Sequence, residues 1–429
     1  MKRHILLFAM ILASFPSLPA GEEDLASFQV IWETVKEKHW DLAGTGVDWD
    51  EMHRRYEPLV KAAESSSDAR RLMTEMLGNL GQSHFGIMGA HDNKALESLN
   101  DLFPGGSGVP GFEVALVEQR VFVVKINLDY DSAKKGMGIG TEILALRGKK
   151  LGPVVDQMLT ALKDSKNKEL FVGRTLNGFF TGTKGSKLNL KVRMDGKEKE
   201  LAVVLAAPKG IYKSMLNLDG LRYHYHSEML KGNQGLIAFN LFLPDLNKDL
   251  AKDLTGRFAN TDGLIIDLRG NPGGMAMMAS SLAARLIKEK GKTLGQMTNP
   301  GGTLKFPIFP QKPGYDRPVA ILIDGSSAST SEIVAQGLRD LGRVRLFGTQ
   351  SAGAALPSVV VPLPNGDQFQ YAMADYISLN GHHVEGAGVA PDERTPHTLE
   401  SMSQGKDATL EAAQAWIRKE NEGAKRESM

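Results

Sequence analysis

Val319-Ala320-Ile321-Leu322-Ile323-Asp324-Gly325-Ser326-Ser327-Ala328-Ser329-Thr330-Ser331-Glu332-Ile333 carries an unbroken apolar run through a turn of small residues into the start of a helix. A strand apolar on both faces is the habit of a buried parallel sheet. The turn predicts Ser329 at the helix N-terminus, where backbone N–H groups lack intrahelical partners. Two readings of Ser329 stand side by side. With Glu332 three residues on, it forms a capping box, a purely structural device. Alternatively, its hydroxyl attacks a carbonyl whose developing oxyanion is held by the next N–H.

Outward from this stretch, strands and helices alternate from Gly235. Strands are expected at Leu236–Phe239, Gly263–Leu268, Val319–Asp324 and Arg345–Gly348, and helices at Met275–Lys290, Thr330–Asp340 and from Leu410. That order predicts an α/β unit. A second strand-to-helix turn, Asp267-Leu268-Arg269-Gly270-Asn271-Pro272-Gly273-Gly274-Met275, is rich in N–H donors and either is a plain tight turn or supplies the other half of an oxyanion hole. It lacks the Lys-Ser/Thr pair of a phosphate loop, which argues against nucleotide.

Between about Asp101 and Ala207 the period changes to short strands at Phe112–Val117, Val121–Ile126, Glu142–Leu146, Leu188–Met194 and Glu200–Leu205, with a helix at Val154–Leu162 and a hairpin at Asp195-Gly196-Lys197. Before it, Phe28, Ile31, Trp32 and Val35, then Trp49, Met52 and Tyr56, then Leu72, Met76 and Leu77 recur at helical spacing, with a loop and cap at Ser65 to Asp68. The helices stop at Leu80-Gly81, leaving Gln82-Ser83-His84 on the segment that follows. Residues 1–20 read as a cleaved export signal, with Lys2 and Arg3 ahead of the apolar run Ile5 to Phe15 and a small residue at Ala20. The alternative is an uncleaved anchor, although the run is short for a bilayer.

With 51 Lys+Arg against 50 Asp+Glu, the chain shows no basic excess of the kind that recruits nucleic acid. With no Cys, it has no disulfide framework, thiolate zinc site, iron–sulfur cluster or cysteine nucleophile. A hydroxyl nucleophile needs a base, and histidine suits that work near neutral pH. His39 and His53 fall on the N-terminal helices, where surface or core roles are ordinary. His84 follows a helix stop beside Ser83, on the kind of loop where positioned groups are found. His224, His226 and Glu228 alternate along one strand face, a pattern that either holds zinc or arises by chance. Glu385, after His382 and His383 in a Gly-rich loop, either orients a base or is an exposed carboxylate. There is no Gly-x-Ser-x-Gly elbow, and Ser-x-x-Lys at Ser132–Lys135, Ser165–Lys168 and Ser403–Lys406 stands without supporting motifs.

Together these segments resemble the serine peptidase family of the tail-specific (C-terminal processing) and tricorn proteases. The blocks are Gln82-Ser83-His84; Asp131-Ser132-Ala133-Lys134-Lys135-Gly136-Met137-Gly138-Ile139-Gly140-Thr141-Glu142-Ile143-Leu144-Ala145-Leu146, similar to a PDZ core; Asp267 to Gly274; Ser327 to Glu332; and Glu385-Gly386-Ala387-Gly388-Val389-Ala390-Pro391-Asp392. The resemblance implies a multidomain α+β protein: a signal peptide at 1–20, an N-terminal helical domain at 21–100, a PDZ-like β-rich domain at 101–207 that feeds or gates the cleft, and an α/β crotonase-like peptidase core at 208–429. It implies Ser329 as nucleophile. The tail-specific branch has a lysine base in the loop after the nucleophile helix; here Ala354 stands at that position and no lysine occurs between Lys312 and Lys406. The tricorn-like set is present instead, with His84 as base, Ser83 and Glu385 to hold and polarise it, and an oxyanion hole from Thr330 and Gly274, or Gly273. Gly111 and Phe112 match the peptide-binding loop of a PDZ domain, although Val109-Pro110-Gly111-Phe112 departs from the usual glycine-rich form.

What this implies is an exported serine endopeptidase in the periplasm or envelope. It would act on unfolded or C-terminally exposed polypeptides, with no cofactor, no metal and no membrane span in the mature chain. Loss of the lysine leaves open a catalytically inactive peptide-binding scaffold, and the core fold leaves open a carrier of small apolar ligands.

Overall fold

The computed structural model describes residues 21–88, 103, 105–163, 168–215 and 218–427. The signal-segment reading, the end of the predicted helical domain at 89–100 and Ser165 lie outside the described residues. Helices α1 (Glu22–Lys38), α2 (Trp49–Lys61) and α3 (Ser66–Gly78) bury the periodic positions Phe28, Ile31, Val35, Tyr56, Val60, Met73 and Met76 in one cluster. Ser65 caps α3 by accepting from the Asp68 N–H at 3.1 Å, as its sequence position predicts. Strand β1 (Gly86–Met88) follows.

The β-rich unit is an antiparallel sheet of β2 (Phe112–Val117), β3 (Arg120–Ile126), β4 (Glu142–Leu146), β5 (Lys187–Met194) and β6 (Lys197–Val204), in that spatial order. Asp195 (φ +49°) and Gly196 (φ +73°) make the β5–β6 turn with both residues left-handed, as a two-residue hairpin requires. Helix α4 (Leu151–Ala161) is the expected one. Helix α5 (Lys168–Gly178) is not expected from sequence, because its apolar face is interrupted and it carries Gly173, Asn177 and Gly178. The helix runs beside edge strand β2, where the Asn177 side chain accepts from the Val114 N–H and donates to the Val114 carbonyl, both at 2.9 Å.

The third unit is a six-stranded sheet of β7 (Tyr225–Leu230), β8 (Gln234–Phe239), β9 (Gly263–Asp267), β10 (Val319–Ile323), β11 (Arg345–Gly348) and β14 (Glu393–Arg394), parallel except for the β7–β8 pair. Helices α6 (Asp245–Thr255), α7 (Met277–Ala283) and α8 (Thr330–Asp340) pack on one face. Helix α9 (Ala408–Glu427) packs Ala413 and Ile417 on the other, against Leu236, Ile265, Ala320 and Leu322. Both faces of β10 are thus covered, which is why its sequence is apolar throughout. The helix expected over Met275–Lys290 is shorter than its periodicity suggests. The Ala284 and Arg285 carbonyls accept from the Gln311 and Tyr315 N–H groups, bonds that divert the chain from helical pairing. Between β11 and β14, hairpin β12 (Ser358–Pro362) and β13 (Gln368–Ala372) leaves the core, pairs with β1, and buries Phe369 and Tyr371 in the helical cluster. That pairing carries the segment just after Ser83 and His84 toward the peptidase half.

Candidate active site

The carboxyl ends of the adjacent parallel strands β9 and β10 open into the two turns singled out above, the usual place for a site in such sheets. Hydrogen bonds stitch the turns together, among them that of the Gly270 N–H to Asp324 Oδ1 at 3.0 Å. The Ser327 hydroxyl donates to the Leu268 carbonyl at 2.7 Å, Ser331 to Asn271 at 2.9 Å, Thr330 to Gly274 at 3.0 Å, and the Ala328 N–H to the Asn271 carbonyl at 3.1 Å. Among the described residues, the hydroxyl of Ser329 alone within Ser327–Ser331 makes no hydrogen bond. Ser329 sits at φ +55° and ψ −118°, a conformation that costs a non-glycine residue about 1–3 kcal/mol unless its surroundings hold it. Its N–H is shared between the Ala354 carbonyl at 2.8 Å and Glu332 Oε2 at 3.0 Å. Half of the capping box is therefore formed: the Glu332 carboxylate reaches back, while the Glu332 N–H bonds the Ser329 carbonyl and leaves the hydroxyl alone.

The glycines have distinct positions. Gly273 (φ +101°) lies so close that a Cβ there would fall 2.8 Å from the Ser329 Cβ and 2.9 Å from the Thr330 nitrogen. Its own N–H is committed to Asn271 Oδ1 at 2.9 Å. The N–H groups of Gly274 and Thr330 have no partner among the described residues. Asn271, buried, also donates to the Phe239 carbonyl at 2.8 Å and so fixes the glycine turn to the end of β8.

Three residues meet from opposite ends of the chain. Glu385 Oε1 accepts from the Ser83 N–H at 2.7 Å, and Oε2 accepts from the Ser83 hydroxyl at 2.8 Å and from the Ala355 N–H at 3.0 Å. Ser83 Oγ lies 2.7 Å from His84 Nδ1. A hydroxyl has one proton; given to the carboxylate, it leaves the oxygen to accept from Nδ1–H, and His84 then keeps a lone pair on Nε2. His84 has φ +60°, a second strained position. The residue is half-buried, and the protein packed around it and the Arg174 guanidinium push its pKa down to about 4. Burial raises Glu385, with Asp375 adding to the effect, against the donors on Ser83 and Ala355 that lower it. Ala354, whose carbonyl takes the Ser329 N–H, directly precedes Ala355, whose N–H goes to Glu385, so one peptide link joins the two constellations.

A model of peptidase family S41 matches residues 234–395, and a model of the C1 domain of the tricorn protease matches residues 21–78. The chain carries a peptidase S41 domain. It is a serine peptidase, and its similarities run the same way. It is 26% identical over 330 residues to a carboxy-terminal-processing protease of Bartonella bacilliformis, covering 74% of this chain and 68% of that protein. It is 24% identical over 350 residues to the carboxy-terminal processing protease CtpB of Bacillus subtilis, covering 80% of this chain and 66% of that one. The chain thus spans about two thirds of the length of these relatives. Among solved structures, the photosystem II D1 C-terminal processing protease shares the fold at a TM-score of 0.53 and 19% identity, with 91% of this chain and 99% of that one covered.

Other predicted positions in this S41 chain have different surroundings. His39 bonds Gln82 and stacks on Phe85, and His53 bonds Gln29, so both are satisfied side chains of the helical unit. His226 and Glu228 lie 3.5 Å apart on β7, and no group of three or more His, Asp or Glu residues able to hold a metal occurs among the described residues. His383 pairs with Asp375. Gly111 (φ +82°) packs where a Cβ would strike the Tyr130 ring, and the Phe112 side chain is buried against Phe180. Ala354, where the resemblance puts the lysine of the tail-specific branch, is buried with Ala328 under Leu170 of α5, with Ala352 alongside.

Sequence reasoning did not reach Asn271, Leu170 or Arg174, nor the full set of partners around Glu332. Asn271 alone left a signal, as the side chain placed between Gly270 and the Gly273-Gly274 pair of its turn.

Proposed function

We propose that this S41 chain is an exported endopeptidase of unfolded or C-terminally exposed polypeptides, with Ser329 as nucleophile and His84 as general base. Support comes from one observation above all: the uncommitted hydroxyl on a strained strand-to-helix turn, one peptide link from a carboxylate–serine–imidazole relay. His84 Nε2 takes the Ser329 proton as Oγ attacks the peptide carbonyl; Ser83 and Glu385 hold the imidazolium, which returns the proton to the leaving amine. Water then hydrolyses the acyl-enzyme by the same exchange. The N–H groups of Thr330 and Gly274 receive the oxyanion, each worth about 3–4 kcal/mol in a comparable case. Gly273, its N–H already given to Asn271, serves by leaving room. The imidazole relay answers the missing lysine, and nothing at the site favours an inactive scaffold.

In the same reading the six-stranded core is crotonase-like, the unit around residues 101–207 is PDZ-like, and residues 1–20 direct export to the periplasm or envelope. No described helix is long and apolar enough to cross a membrane. The PDZ-like unit, with Gly111 and Phe112 opening β2, receives the peptide along the β2 edge and gates the cleft through α5. Leu170, Arg174 and Asn177 share one face of α5 and touch the nucleophile turn, the imidazole's field and the β2 edge respectively. Leu170→Ala removes about 1–2 kcal/mol of apolar contact from the closed arrangement, and is expected to raise basal turnover roughly tenfold in steady-state assays. An unchanged or lower rate would count against gating by this helix.

The deciding experiment is covalent labelling of the purified chain with a fluorophosphonate. The adduct is expected on Ser329 in peptide mapping; an unlabelled Ser329, under conditions where a peptide substrate is cleaved, overturns the assignment.

A further inference from the structure

Beneath the nucleophile turn lies a carboxylate that the mechanism above leaves without a task. Glu332, on the first turn of α8, is fully buried. Its Oε1 accepts from Ser351 Oγ at 2.5 Å and the Gly353 N–H at 2.8 Å; its Oε2 accepts from the Ala354 N–H at 3.0 Å and the Ser329 N–H at 3.0 Å. Ser351 Oγ itself accepts from the Val389 N–H at 2.6 Å, so its proton belongs to Glu332. Every partner is a donor. Only the carboxylate anion, an acceptor at both oxygens, satisfies them all; a protonated carboxyl sets an O–H against a donor.

The same loop serves two carboxylates in succession. Gly353 and Ala354 give their N–H groups to Glu332, and Ala355 gives its own to Glu385. The loop that bears a base in the lysine-using branch here contributes backbone, as a strap of fixed length between nucleophile and relay. A helix cap alone needs only the Ser329 N–H; the three further donors are surplus to capping.

We propose that Glu332, as an anion, is a positioning residue of the peptidase reaction: it clamps the strained Ser329 backbone and the 351–355 loop in register with the Glu385–Ser83–His84 relay. The inference rests on the nucleophile and base assigned above. Burial pushes Glu332 up to about 7, opposed by its four hydrogen bonds. None of its partners is charged. The titratable and charged groups on the elements across the loop are Glu385 and His84, with Asp375 beside the first and Arg174 beside the second. Since burial and Arg174 push His84 down to about 4, protonation of the base belongs well below the acid limb expected from Glu332.

The test is the pH profile of kcat, KM and fluorophosphonate labelling of the full chain from pH 5 to 9, for wild type and Glu332→Gln. Wild-type kcat is expected to fall about tenfold per pH unit below 7. Glu332→Gln, which sets an amide donor against two of the four donors, is expected to lose about 10- to 100-fold in kcat at pH 8, with KM little changed and the limb near 7 gone. A flat wild-type profile, or a limb near 7 that persists in Glu332→Gln, overturns the proposal; persistence would point to Glu385. Amide exchange supplies a readout without turnover: at pH 8 the Ser329, Gly353 and Ala354 amides should exchange faster in Glu332→Gln, and unchanged protection overturns the clamp whatever the activity. Wild-type Ser329 that never labels at any pH sinks the peptidase reading itself, which is a different result from labelling that ignores pH.

Discussion

Ser329→Ala is expected to lower kcat/KM for peptide hydrolysis by about 10⁴-fold or more and to abolish covalent labelling, with the midpoint of thermal unfolding nearly unchanged. The stability half follows from the hydrogen bonds. The Ser329 hydroxyl caps nothing, since the Glu332 N–H bonds the Ser329 carbonyl, and alanine keeps both that carbonyl and the N–H held by Ala354 and Glu332. Nor does alanine change the strain at φ +55°, because serine already bears a Cβ there. A serine present only as a cap gives the opposite pattern, losing about 1 kcal/mol of stability with activity retained. Ser331→Ala supplies the contrast. Its buried hydroxyl donates to the Asn271 carbonyl, so this variant is expected to lose stability while keeping a nucleophile. Kinetics on a fluorogenic peptide beside thermal unfolding of both variants separates chemistry from structure.

How far the sequence discloses this arrangement depends on the range of the forces involved. Val319 to Asp340 is legible because its cues are local: an apolar run, a turn of small residues, then a helical period, and the observed strand and helix fall where these predict. The β5–β6 turn is legible for the same reason. Helix α5 is not, since its stability comes from packing Leu176 in the β-rich unit's core, Leu170 against Ala328 and Ala354 of another unit, and from Asn177 closing a distant strand edge. Hairpin β12–β13 is likewise hidden: Phe369 and Tyr371 alternate as in any strand, but the surface they bury belongs to helices some 300 residues earlier. At the site, Ser329 and Glu332 are neighbours whose relation spacing can suggest. Ser83 and Glu385 are not. Their separation of 302 residues carries no periodicity, and only the family resemblance paired them before the fold did. Buried donors leave no mark in composition, so the sequence does not show that the Gly273 N–H is taken by Asn271 Oδ1 while that of Gly274 has no partner among the described residues.

His84→Ala is expected to cut Ser329 labelling and peptide turnover by about 10⁴-fold at neutral pH, and added imidazole should restore a measurable part of both. On the proposed assignment a proton must leave Ser329 Oγ during attack, and the position where the resemblance puts a lysine base holds Ala354, a buried methyl. If His84 is the base as proposed, the relay selects its Nε2: with the Ser83 proton given to Glu385, Nδ1–H faces Ser83 and Nε2 holds the lone pair. The low pKa of His84 has a definite sign. Above about pH 5 the ring is neutral and ready to accept, so its own protonation limits turnover only near pH 4. It is also a weak base at rest, because burial and the Arg174 guanidinium oppose imidazolium. Undiminished labelling of His84→Ala at neutral pH without imidazole would mean that the proton leaves by another path, and the relay from Glu385 would then be structural.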